Sequence, residues 1–196
     1  MEDLQRLNVK FFLADSTALS PEQAFRVFND WIPRTTDEVL VDVADYSHLA
    51  EGPLTLLVGH EANYCLDNGR GELGLLYSRK QPLSGSLSAR LALVLQAALK
   101  ACCRLEQEPD LAGKVKFRGD EFLLIANDRR RAANGEDGAK TLRAALEPVL
   151  VKLFAGAPFA VERDADPLLR LNLRVGARAA FDAAALLANL AGGAPA

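Results

Sequence analysis

Apolar positions recur along this chain with two periods, and the switches between them mark its elements. Residues Asn8 to Ala14 (NVKFFLA) are a short apolar run that predicts a first strand. Ser20-Pro21-Glu22 opens a helix, with serine as cap and proline at the first helical position. Ala24, Val27, Phe28 and Trp31 place its buried stripe at helical spacing, and Pro33 ends it. Three apolar runs ending in polar clusters follow: VLVDVADYSH, LTLLVGHEANY and LGLLYSRK. Val39 to Ala44 reads as a strand with Val41 and Val43 inward and Asp42 outward. Leu54 to Leu66 reads as another, interrupted by Gly59. Asn68-Gly69 predicts a two-residue type I′ turn into a strand over Glu72 to Arg79. Counting back from that turn sets Tyr64 against Leu73, Ala62 against Leu75 and His60 against Tyr77, with Arg79 on the same face.

The second half follows a Pro/Gly/Ser-rich stretch at 81–88. Leu87, Leu91, Val94, Leu95, Ala98, Leu99, Cys102 and Leu105 define one face of a long helix. KVKFRGDEFLLIA predicts two strands around a turn at Arg118-Gly119-Asp120. A helix over about 137–154 carries Leu142, Ala145, Leu146, Val149, Leu150 and Leu153 inward, and Pro148 should kink or divide it. Phe159 to Arg163 and Leu169 to Val175 predict a closing hairpin; the second run alternates apolar residues with Arg170, Asn172 and Arg174. An alanine-rich tail begins near 181.

The resulting order, β-α-β-β-β-α-β-β-α-β-β, predicts an α+β fold with a mixed, largely antiparallel sheet. One domain over 1–180 accommodates it, alone or as two subdomains joined near 81–88. Composition agrees: 49% hydrophobic and 25% charged residues in 196 can bury a core without disulfides. The net charge of −3 argues against a general nucleic-acid binder, though not against a local basic patch. Cys65, Cys102 and Cys103 form no disulfide or zinc pattern and read as apolar filler in a reducing cytoplasm. No apolar stretch approaches the ~20 residues of a membrane span, and no leader peptide is evident.

The candidate chemistry lies in 39–80, where both histidines occur. His60 can exchange a proton near neutral pH, and Glu61 beside it could orient it only if a bulge at Gly59 relaxes the strand. Arg79 and Lys80 at a strand end could bind an anion, and Tyr77 adds a phenol. Asp42 interrupts an apolar strand, whereas Asp45 reads as a turn cap. No catalytic set, metal spacing or phosphate loop is complete, so no cofactor, metal or catalytic residue is assigned. Arg129-Arg130-Arg131 reads as a solvated loop able to contact phosphate. The leading expectation is a cytoplasmic binding or interaction module for a small anion, using His60, Tyr77, Arg79, Asp42 and Lys80, or for a protein partner. An enzyme using His60 with Tyr77 and Arg79, or a subunit of a larger complex, are the alternatives.

Two resemblances attach to these residues. The block DVADYSHLAEGPLTLLVGHEANYCLDNGRGELGLLYSRK, with KVKFRGDEFLLIANDRR, resembles an uncharacterised family of bacterial proteins of about this length, which implies no activity. Gly119-Asp120-Glu121-Phe122 resembles the signature hairpin of GGDEF-type diguanylate cyclases. That resemblance implies a guanine-nucleotide turn with a metal-binding acid. Here Arg118 stands where the first glycine belongs, and the other acidic strand, with Asp42, lies too far away in sequence.

Overall fold

The computed structural model describes residues 1 and 3–192. Among these described residues, eight antiparallel strands form one sheet with four helices, an α+β fold. In chain order the elements are β1 (Leu7–Leu13), α1 (Pro21–Arg34), β2 (Leu40–Asp45), β3 (Pro53–Gly59), β4 (Ala62–Asp67) and β5 (Gly74–Arg79). Then come α2 (Leu87–Glu106), β6 (Phe117–Ala126), α3 (Glu136–Leu153), β7 (Phe159–Arg163), β8 (Asn172–Ala177) and α4 (Ala183–Ala191). The sheet order is β2-β3-β4-β5-β1-β6-β8-β7, so strands from both sides of 81–88 share one sheet and one core.

Helix α1 begins on a full capping box: Ser20 Oγ accepts from the Gln23 N–H, and Gln23 Oε1 accepts from the Ser20 N–H. Every residue of the predicted α2 stripe is buried. Helix α3 runs unbroken through Pro148, since its carboxyl half is held by buried Val149, Leu150 and Leu153. The helices lie against the sheet face that carries Val9, Phe11, Leu57, Tyr64, Tyr77, Leu124 and Leu173. The opposite face has no helix over it among the described residues. It carries Lys10, Phe12, Cys65, Leu76, Leu123 and Arg174.

Several expectations are corrected. Leu54 to Leu66 is two strands, folded back at His60-Glu61, with Val58 opposite Asn63. The Asn68-Gly69 turn is absent: a short 3-10 turn over Gly69–Gly71 lengthens the loop, and Arg70, not Asn68, takes a positive φ of 65°. Tyr64 therefore pairs with Tyr77 and Ala62 with Arg79, four residues from the expected register. An even slip keeps every side chain on its predicted face. Val41 is exposed, because the pairing of β2 with β3 shifts between Leu40 and Asp42. The predicted turn at Arg118-Gly119-Asp120 lies inside continuous strand β6; its broken alternation is a bulge opposite Phe11 to Leu13. Strand β8 starts at Asn172 rather than Leu169. The alanine-rich segment forms α4, and residues 193–196 of the predicted tail lie outside the described residues.

Gly119 has a packing role. A β-carbon there would stand 2.5 Å from the Phe181 carbonyl carbon and 3.1 Å from the Asp182 nitrogen, where the chain crosses β6 to enter α4. Within the GDEF segment, Arg118 pairs with Asp120 and with Glu121.

Candidate binding cleft between the sheet and helix α2

Tyr64 and Tyr77 face each other across β4 and β5 on the helix side, rings 5.3 Å apart and edge to face. Trp31, at the end of α1, abuts Tyr64 at 6.4 Å and donates its indole N–H to the buried carboxylate of Glu108 at 2.7 Å. The Arg104 guanidinium of α2 lies 4.1 Å from the Trp31 ring centroid. These aromatics line a cleft of about 380 Å³ whose rim carries Asp37, Glu38, Glu61, Arg79, Lys100 and Arg104. That volume falls within the range of small-molecule sites.

Internal pairing leaves the rim unevenly neutralised. Tyr64 Oη donates to both Glu38 oxygens, at 2.8 and 3.0 Å. Burial pushes the Glu38 carboxyl above its ordinary value, while the Tyr64 hydrogen bond draws it down. Burial and the neighbouring Glu38 carboxylate both push the Tyr64 phenol far up. Burial likewise raises Tyr77, opposed by the adjacent Arg79 cation. Glu61 holds Arg79 at 2.6 Å, and Arg79 also donates to the Gln81 carbonyl at 2.8 Å. Arg104 donates to Thr35 Oγ1 at 2.8 Å and pairs with no carboxylate among the described residues. Burial, then the like charge of Arg34, works against its charged form. Lys100 is exposed at the rim and has no side-chain hydrogen bond or ion pair among the described residues. With Glu61 paired to Arg79, the opening holds two cations, Lys100 and Arg104, and two carboxylates, Asp37 and Glu38, none of them salt-bridged among the described residues.

Of the residues expected from sequence, Tyr77 and Arg79 line this cleft. His60 sits at the β3–β4 hairpin tip, 63% exposed, with Nδ1 3.2 Å from Glu61 Oε1. The turn brings these neighbours together where a regular strand would have separated them. Glu61 thus bridges His60 outside the cleft and Arg79 inside it. Asp42 lies on edge strand β2, exposed, and accepts from the Val43 N–H at 2.8 Å. Lys80 follows β5, is exposed and does not line the cleft. Asp45 does cap a turn, accepting from the Ser47 N–H at 2.8 Å. Sequence reasoning missed Trp31, Glu38, Tyr64, Lys100 and Arg104 as lining residues. A signal existed on α2, where Gln96, Lys100 and Arg104 recur every four residues beside the apolar stripe.

No family model, curated protein or solved structure matches this chain. No cluster of three potential metal ligands occurs among the described residues, and no described helix is long and apolar enough to cross a membrane.

Proposed function

We propose that the protein is a cytoplasmic, bacterial binding module that holds a small anionic molecule in the cleft between β4, β5 and α2. The observation that carries this reading is that neither Lys100 nor Arg104 is salt-bridged to a carboxylate among the described residues, although both stand beside an aromatic wall. Arg104 is stacked and tethered on Trp31, so its fork is preorganised, and one hydrogen bond to Thr35 leaves most of its N–H donors unspent. Lys100, one helical turn earlier, supplies a second charge at the mouth. An anion attached to a flat apolar body matches this lining, its charge on the two cations and its body against Tyr77 and Leu83. The three free cysteines support a reducing compartment, and the resemblance of 42–80 supports the bacterial origin.

Trp31 is the only tryptophan, so its fluorescence reports on the cleft directly. Titration with benzoate should give a saturable change in emission, with inorganic phosphate a weaker one. Lys100→Ala leaves the Trp31 contacts intact and removes one charge-assisted hydrogen bond, worth about 1.5–3 kcal/mol. Benzoate affinity should then fall by roughly ten-fold or more. Emission unaffected by benzoate, or equal affinity in the variant, would sink the reading.

A further inference from the structure

We infer that the end of the sheet formed by the start of β1, the ends of β5 and β6 and the approach to β8 is a docking strip for a nucleic-acid phosphate backbone. Antiparallel pairing brings these four termini side by side. The Asn127 N–H donates to the Arg6 carbonyl at 2.8 Å, and the Ala126 N–H donates to the Leu171 carbonyl at 2.9 Å. Two residues inward, Asn8 pairs with both Ser78 and Ile125. Lys80, Arg6, Asn127 and Arg170 therefore fall in one row across the sheet. With strands about 4.8 Å apart, that row spans about 14 Å. The loop leaving β6 then adds Arg129, Arg130 and Arg131. With Arg6, Asn127 and Asp128 they line an open concavity of about 670 Å³.

Apart from Arg178, just past β8, the other arginines of the sheet differ from the strip in how their charge is met. Arg70, Arg79, Arg118, Arg163 and Arg174 are each held by a carboxylate. On the strip, Lys80, Arg6, Arg130 and Arg170 are exposed and have no side-chain partner among the described residues. Arg129 donates to the Leu168 carbonyl, and only Arg131 meets a carboxylate, that of Asp128. Asp128 itself is occupied, for it also accepts the backbone N–H groups of Arg130 and Arg131 and so shapes the loop. In a chain of net charge −3, this local cationic surplus has no internal use.

The cations are strung out rather than convergent, which suits a linear polyanion better than a single phosphate. Polar Ser78, Asn8 and Asn172 flank the row, with no exposed aromatic ring beside them. The contact would thus read phosphates and not bases. Such a strip is independent of the cleft, which lies on the opposite face.

Fluorescence anisotropy of a labelled 20-mer of oligo(dT) tests the assignment. Engagement of about four phosphates predicts a roughly 50-fold loss of affinity between 50 and 200 mM salt. The triple variant R129A/R130A/R131A should flatten the log–log salt slope by about 2, and Arg6→Ala by about 0.7. Lys100→Ala should leave binding unchanged. These side chains are solvent-facing, and an unchanged melting temperature confirms folding; Arg130→Glu gives a second, single-site reading in the same direction. No binding at low salt, or an unaltered slope in the triple variant, would overturn the assignment. So would inorganic tripolyphosphate displacing the oligonucleotide at equal phosphate concentration, since the ligand would then be a free oligophosphate.

Discussion

Replacing Gly119 by alanine tests how α4 is held to the sheet. The new β-carbon would stand 2.5 Å from the Phe181 carbonyl carbon, against an ordinary contact of 3.4 Å or more. The opposing atoms are backbone, so no rotamer change relieves the overlap, and the crossing segment must retreat by about 1 Å. Overpacking of this kind costs about 1–3 kcal/mol when the structure can adjust. If the retreat frees α4, burial of Leu186 and Leu190 is also lost, about 1.5–3 kcal/mol for each. The expected destabilisation is therefore at least about 1 kcal/mol, or a fall in melting temperature of at least about 2–4 °C for a chain of this size, and several times that if α4 is freed. Urea unfolding gives the first number and calorimetry the second. A variant as stable as the parent would refute the reasoning, and Gly119 would then need another explanation. Detached α4 would additionally lower the urea m-value, because less surface remains to be exposed on unfolding.

The open sheet face makes a second forecast. Lys10, side chain 4% exposed, bonds Asp67 at 2.5 Å. Asp67→Ala strands a buried cation and should cost about 3–5 kcal/mol, whereas the double variant Lys10→Met/Asp67→Leu should recover most of that loss. Equal unfolding midpoints for the two variants would show that the pair is not the issue. Thiol titration supplies a third test. Cys103 is partly exposed, while burial pushes the Cys65 thiol up to about 12 and also raises Cys102. Cys103 should label first and the other two only on unfolding; three equal rates would contradict the packing.

What the sequence revealed depended on whether one local rule decided the element. Helix α1 was legible because cap and stripe agree, and α2 from its stripe alone. The tight hairpin at His60-Glu61 was hidden by a run apolar on both sides of it. Its trace is a change of phase: Thr55 and Leu57 face the helices before it, Ala62 and Tyr64 after it. The GDEF bulge misled in the opposite direction, since a broken alternation reads the same for a turn and for an inserted residue. Tyr77 and Arg79 were found because they end a strand. Arg104 and Trp31 come from helices distant in sequence, and only the packing of α1 on β2 and β3 and of α2 on β1 and β5 brings them together.

Strand β1 lies between β5 and β6, yet it is made before either. Its first partner arrives 68 residues later and its second 115, as the register of Val9 with Tyr77 and Leu124 shows. Closing loops of that length costs entropy before any contact rewards it. During synthesis, β1 must wait with both edges unpaired until β5 emerges, and one edge stays open until β6 follows. Refolding should accordingly be slow for a chain of this length.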